Sequence, residues 1–286
     1  MLPEYSRSRL QGWLKAGRVT LNGDEIGQRK RMAGGEVLRV EAEALPQEAS
    51  EAPEAIALDV VFEDAHLLVI NKPVGLVVHP GSGNWSGTLF NALLHHAPAL
   101  AEVPRGGIVH RLDKDTSGLM VVAKTVAAQA ALVDQLQGRS VGRHYLALVH
   151  GEVSRDGEVD APIGRHPVRR TRMAVVEAGR EARTRYTVRR RFAGMTLLEC
   201  QLDTGRTHQI RVHMSSVGHP LVGDRVYGAR RRSGHSETDA FPRQALHAFR
   251  LQLEHPAHAE TMAWEVPMPD DIAALLAILE ERERLA

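Results

Sequence analysis

A run of nine residues, His110-Arg111-Leu112-Asp113-Lys114-Asp115-Thr116-Ser117-Gly118, lies between two apolar stretches. Gly106-Gly107-Ile108-Val109 precedes it and Leu119-Met120-Val121-Val122-Ala123 follows. The second stretch is short, unbroken and aliphatic, which predicts a buried strand. A turn is predicted at Thr116-Ser117-Gly118. Two carboxylates, two fixed cations and an imidazole are thus tied to chain that goes inside. Desolvating charges is costly unless they are paired. The fold must therefore either leave this run as a solvated turn with surface ion pairs or pair its charges within a cleft.

The order of the residues decides between these more than their composition does. His-Arg-Leu-Asp-Lys-Asp-Thr-Ser-Gly resembles the catalytic motif of the RluA-type pseudouridine synthases. Thr204-Gly205-Arg206-Thr207-His208-Gln209-Ile210-Arg211-Val212-His213 resembles a second active-site segment of that family. Further matches are Asn71-Lys72-Pro73, His79-Pro80-Gly81, Asn91-Ala92-Leu93-Leu94-His95 and Arg165-His166-Pro167. The resemblance runs from about residue 5 to residue 269.

It implies an α+β fold: a mixed, largely antiparallel sheet with flanking helices and a central cleft. It makes Asp113 the nucleophile, Arg211 the guanidinium paired with it, and Tyr145 the ring against the target base. Ile210 and Leu246 would line the base pocket. Arg111, two before the aspartate, would fill the space left by a flipped-out base, and Arg206 and His208 would touch RNA. Without the resemblance, Tyr145 is half-buried strand packing, Leu246 a core leucine and Arg211 a surface residue. Arg111 would then be a phosphate contact or a structural ion pair.

In chain order, residues 1–44 read as a small module. Ser6 or Ser8 caps a helix with Leu10, Trp13 and Leu14 on one face. Val19-Thr20-Leu21 is a strand turned by Asn22-Gly23, and Val37-Leu38-Arg39-Val40 returns. This stretch resembles the later part of an S4 RNA-binding domain, without the helix that opens it, and Arg7 and Arg9 are its expected RNA contacts. Residues 45–55 are an acidic linker within a region, 41–64, that holds eight acids and no Lys or Arg. Residues 56–286 form the catalytic domain. It opens with a hairpin of Val60-Val61-Phe62 and Leu67-Leu68-Val69-Ile70. A helix follows from Thr88 to His96, and after the motif comes another from Thr125 to Gly138. Tyr145-Leu146-Ala147-Leu148-Val149 and Gln244-Ala245-Leu246-His247-Ala248 read as strand, and residues 229–240 as a mobile polar stretch. Asp270 or Asp271 caps a last helix with Ile272, Leu275, Leu276 and Leu279 inward.

Net charge is only +1, but its distribution is uneven. Residues 165–191 hold ten arginines and two glutamates, an excess of +8. Such a cluster repels itself unless an anion offsets it, and RNA phosphate is the expected anion, with Arg169, Arg170 and Arg172 as contacts. Arginine suits bidentate phosphate contacts, although an arginine-rich composition also follows from a GC-rich genome.

Several classes are excluded. The Gly-rich loop at Gly81-Ser82-Gly83 has neither nucleotide-binding spacing, and His208 and His213, five apart, do not fit a zinc pair. No cofactor and no metal are expected. Converting uridine to pseudouridine exchanges an N-glycosidic bond for a C–C bond and needs neither redox chemistry nor a group donor. It does need a carboxylate kept ionised, and a fixed cation beside it does that. One cysteine, no signal peptide at Met1-Leu2-Pro3-Glu4-Tyr5 and no spanning apolar run make the cytoplasm, off the membrane, the expected location. The implied partner is 23S rRNA or a large-subunit precursor, at the helix 69 stem-loop, bound by a monomer. Alternatives are another rRNA or tRNA site, a non-catalytic RNA-binding assembly factor, or a hydrolase using Asp113 with His110.

Overall fold

A computed structural model describes residues 7–27, 30, 34–41, 52–81, 83–228 and 236–285. The chain divides into two units, residues 1–50 and 51–286. In the first, helix α1 (Arg7–Lys15) leads into strands β1 (Val19–Leu21), β2 (Asp24–Glu25) and β3 (Leu38–Val40), ordered β2-β1-β3. Asn22 and Gly23 both take positive φ (53° and 98°), as a tight hairpin turn requires. Trp13, Val19 and Leu21 are buried here. Ser6, residues 42–51 and the side chains of Ser8, Arg7 and Arg9 lie outside the described part.

The second unit is an α+β domain on a nine-stranded sheet. Its strands are β4 (Val60–Glu63), β5 (Leu67–Lys72), β6 (Ser117–Ala123), β7 (Gly142–His150), β8 (Gly157–Asp160), β11 (Arg183–Phe192), β12 (Met195–Leu202), β13 (Leu246–Glu254) and β14 (Thr261–Glu265). Their order is β4-β5-β6-β13-β7-β12-β11-β8, with β14 also on β13. β9 (Ile163–Arg165) and β10 (Met173–Val175) form a separate antiparallel ribbon. The helices are α2 (Leu89–His96), α3 (Val126–Gln137), α4 (Gln209–Ser216), α5 (Ser236–Asp239) and α6 (Asp270–Leu285).

Alternating side chains explain the layers, because successive strand residues face opposite sides. Leu68, Ile70, Met120 and Val122 pack with Leu89 and Leu93 of α2 and with Ile210 and Met214 of α4. Their neighbours Leu67, Val69, Leu119 and Val121 pack with Ala128 and Leu132 of α3 on the other face. Further along that sheet, Ile272, Leu275, Leu276 and Leu279 of α6 cover Leu148, Met195 and Leu197. Because β6 is covered on both faces, it reads as an unbroken apolar run. Thr88 and Asn91 form a reciprocal cap at the start of α2, and Asn91 Nδ2 donates to the Ala52 carbonyl at 2.8 Å.

Among the described strand pairs only β6 and β13 run parallel. Gly118, at φ 115°, pairs there with Ala248, and a Cβ on it would lie 2.2 Å from the Ala248 carbonyl oxygen. Only glycine permits this seam. It aligns the start of β6, just after Asp113, with the start of β13, at Leu246.

Four expectations change. The turn falls at Lys114-Asp115, closed by Thr116 N–H on the Asp113 carbonyl, and Ser117-Gly118 already belong to β6. Strand β13 begins at Leu246, not Gln244. Within 229–240, Ser236–Asp239 is helical, and 229–235 lie outside the described residues. Asp270 and Asp271 sit inside α6 rather than before it, and Asp271 holds Arg243.

His247 Nδ1 lies 2.9 Å from Ser117 Oγ across the parallel seam. Burial, with Arg243 adding, lowers its pKa to about 4. Burial, with Arg143 adding, lowers that of His110 to about 3. Both bind protons more weakly in the native state than in the unfolded chain, where histidine titrates near 6.5. Their contribution to stability is complete above pH 6.5 and is lost as pH falls from there towards 4, because the unfolded chain then takes up more protons. Melting followed by circular dichroism is expected to show Tm falling through this window, less steeply in His247→Gln. An equal slope in the variant contradicts the assignment.

Candidate active site

Asp113 precedes the β6 seam and is held there by two cations on neighbouring carbonyls. Lys72, fully buried at the end of β5, donates its Nζ to the carbonyls of Pro73, Leu76 and Lys114 at 2.6, 3.0 and 3.1 Å. Burial lowers its pKa to about 8, against the opposing pull of Asp115 and Asp113. Arg243 Nη1 donates to the carbonyls of Asp115 and Leu246, both at 3.2 Å, while its Nε and Nη2 hold Asp271. The motif loop and the first residue of β13 are thus pinned by one guanidinium.

Arg211 projects from α4 and bridges two carboxylates. Nη1 donates to Asp113 Oδ2 at 2.9 Å, and Nε and Nη2 donate to Asp224 at 2.7 and 3.0 Å. Their side chains are 6%, 17% and 0% exposed for Arg211, Asp113 and Asp224. Asp224 also accepts the N–H groups of Val226 and Tyr227. Burial alone would raise its pKa, but the hydrogen bonds and charge of Arg211 outweigh this and lower it. The same carboxylates raise the pKa of Arg211 beyond its ordinary value against the effect of burial.

The loop before α4 is tied by Gln209, whose Oε1 accepts from Thr204 Oγ1 and the Arg206 N–H, and whose Nε2 donates to the Arg183 carbonyl. His208 then takes a left-handed conformation (φ 57°). Its Nε2 faces Asp113 Oδ1 at 3.8 Å and its Nδ1 lies 2.8 Å from the Tyr227 hydroxyl. That hydroxyl also accepts the Met173 N–H at 3.0 Å. Burial lowers the His208 pKa, although Asp113 pulls the other way. His110 plays no such part: its Nε2 accepts the Val121 N–H at 3.0 Å. His213 is also internal, between Thr184 and the Ala161 carbonyl.

A cleft of about 590 Å³ brings together Asp113, Arg111, Tyr145, Arg206, His208, Ile210, Arg211 and Leu246. A second cavity, of about 530 Å³, adjoins it and shares Arg111, Asp113, His208 and Arg211. The carboxylate therefore faces a continuous groove. Tyr145 is 5% exposed, and burial, with Asp113 adding and Arg143 opposing, raises its pKa, so the phenol keeps its proton at neutral pH. Arg111 is exposed at the junction of the two cavities.

The arginine-rich stretch splits in two, which corrects the reading of a single phosphate-seeking cluster. Arg183, Arg185, Arg189 and Arg190 pair with Asp160, Asp203, Glu199 and Glu280. Their offsetting anions are within the protein. Arg169, Arg170 and Arg172 lie in the connection between β9 and β10, outside the cleft lining, with no carboxylate partner among the described residues.

Sequence reasoning missed Asp224, Arg143 and Arg243 and gave Lys72 no role. Only Lys72 left a signal, a charge closing the apolar run Leu67-Leu68-Val69-Ile70. Asp224→Asn keeps the shape but removes the charge beneath Arg211. It is expected to cost about 3–5 kcal/mol in urea unfolding, as breaking a buried pair does. Product formation should fall at least about tenfold, since the guanidinium loses half its anchoring (a 1.4 kcal/mol misplacement suffices). Wild-type stability would show that this pair anchors nothing.

A model of the family described as RNA pseudouridylate synthase matches residues 66–216. Ribosomal large subunit pseudouridine synthase D of Nitrosomonas europaea is 58% identical over 279 residues, 96% of this chain and 81% of that protein. The protein of the same name from Pseudomonas aeruginosa is 53% identical and covers 98% of this chain and 90% of its own length. Among solved structures, human RNA pseudouridylate synthase domain containing 4 shares 28% identity at a TM-score of 0.60, over 77% of this chain and 92% of its own. Human RNA pseudouridylate synthase domain containing 1 shares 27% at 0.59, over 80% and 97%.

Proposed function

We propose, from the premise that this chain belongs to the RNA pseudouridylate synthase family, that it isomerises uridines of 23S rRNA in the helix 69 stem-loop. The observation that carries this is one carboxylate, Asp113, held 2.9 Å from a buried arginine in a cleft walled by Tyr145, Ile210 and Leu246. A large-subunit substrate is supported by relatives 58% and 53% identical over the aligned residues that bear a large-subunit name.

In this reading the target uridine leaves its stack and enters the cleft. Arg111, exposed at the mouth, takes the vacated place, its planar guanidinium stacking as a base would. Leu246 and Ile210 hold the uracil and Tyr145 stacks on it. Asp113, positioned by Arg211, attacks as the nucleophile, and His208 Nε2 faces its other oxygen. Arg206, at the mouth, and Arg169, Arg170 and Arg172, on the β9–β10 connection, meet phosphates. Residues 7–41, with Arg7 and Arg9, act as an S4-like RNA grip. In this reading the enzyme works as a monomer. No helix among the described residues is long and apolar enough to cross a membrane. The single cysteine, Cys200, is buried and free, which suits the reducing cytoplasm where ribosomes are made.

The test is tritium release from unmodified 23S rRNA carrying 5-tritiated uridine, with the modified position mapped chemically. Wild-type protein is expected to release tritium at helix 69 and Asp113→Asn to release none. Equal release by both ends the nucleophile assignment, and release from another stem moves the substrate. Changing Arg169, Arg170 and Arg172 to glutamine is expected to weaken RNA binding. It should flatten the slope of log affinity against log salt by about 2, the share of three phosphate contacts. An unchanged slope removes these arginines from the interface.

A further inference from the structure

One buried cation in the cleft has no part in that scheme. Arg143 and Tyr145 stand two apart on β7, so their side chains leave the same face of the strand. Both line the cavity that holds Asp113. Arg143 is only 6% exposed. A guanidinium has five N–H donors. Among the described residues this one makes a single long hydrogen bond, from Nη2 to the Leu202 carbonyl at 3.4 Å, and its buried Nε has no partner. Asp203, whose charge it feels, is engaged by Arg185 at 2.8 Å. Burial lowers the pKa of Arg143 from the ordinary guanidinium value, with Tyr145 and Asp203 opposing.

A buried guanidinium left under-bonded is costly. The loop beside it keeps its end uncovered: at Gly205 an added Cβ would stand 2.7 Å from Nη1. The phosphates have other cations to meet, since Arg105 and Arg180 line the same cleft and are exposed. Arg143 instead sits deep, with Tyr145 and Leu246, where the base goes.

We infer that Arg143 is a further catalytic residue, whose guanidinium hydrogen-bonds a carbonyl oxygen of the uracil and stabilises the charge that ring acquires on detachment. This rests on the isomerase reading above. When the N1–C1′ bond breaks, its electron pair stays on the ring and spreads over O2 and O4, while C1′ bonds to the Asp113 carboxylate. The ring turns, C5 attacks C1′ and expels the carboxylate, the C5 proton leaves and N1 takes one up. Nothing is oxidised or reduced, and the sum is an isomerisation. A fixed donor aimed at developing charge in a dry site lowers the barrier without reorganising.

The full-length protein and the tritiated 23S rRNA transcript test this. In Arg143→Met, the single-turnover rate at saturating RNA is expected to fall about a hundredfold, as loss of one charge-stabilising donor does. RNA affinity in filter binding should stay unchanged. Added guanidinium chloride at sub-denaturing concentration should restore part of the rate in Arg143→Ala, which a purely structural role would not allow. A wild-type rate in Arg143→Met, or weakened affinity at an unchanged rate, overturns the inference, the second by making Arg143 a phosphate contact. Should both variants fail to fold, Gly205→Ala decides, because it displaces Nη1 while keeping the charge. A slower rate at unchanged affinity supports the inference and a wild-type rate refutes it. No release by the wild-type protein would overturn the isomerase reading and this inference together, and that lane alone distinguishes the two failures.

Discussion

Arg211 is the hinge of the whole site. It lies on a helix and reaches a carboxylate 98 positions earlier on one side and a second carboxylate 13 positions later on the other. A guanidinium suits this because its planar fork makes two parallel bonds to Asp224 and still has a donor left for Asp113. Asp224 is wholly buried and takes two backbone N–H groups besides. The burial cost of three charges is thereby met by five hydrogen bonds rather than by water. The less buried Asp113 is the member left facing the groove.

Around that network the fold supplies rigidity in a simple way. The parallel seam between β6 and β13 brings Ser117-Gly118 beside His247-Ala248. It therefore sets the distance between the aspartate loop before β6 and the apolar wall at Leu246. Lys72 and Arg243 then hold the loop by its carbonyls, Lys114 and Asp115 respectively. Neither cation lies on the motif, yet both fix its backbone. The Tyr227 hydroxyl extends the same network outward, joining His208 beside the carboxylate to the Met173 N–H of the arginine-bearing ribbon.

The local pattern was legible in the sequence to a useful extent. Leu119-Met120-Val121-Val122-Ala123 is apolar without alternation because helices cover both its faces, and it forms strand. Thr88 and Thr125 precede helices because their hydroxyls accept free N–H groups of the first turn. Charge was read less well. Ten arginines in 27 residues looked like one surface, but strand alternation and the bulge in β11 turn four of them towards carboxylates on neighbouring elements. Composition counts charges within a window, whereas pairing depends on what lies opposite.

By itself the sequence determined the alternation of strands and helices, the polar run before β6 and, through its motifs, the residue types gathered in the cleft. Tertiary structure alone decided that Arg211 is shared with Asp224, that Lys72 and Arg243 grip carbonyls, and that Arg143 is buried with donors to spare. The physical reason is range. Helix and strand periodicity follow from neighbours within a few positions, while each of these contacts joins elements that meet only after the sheet has assembled and closed around them.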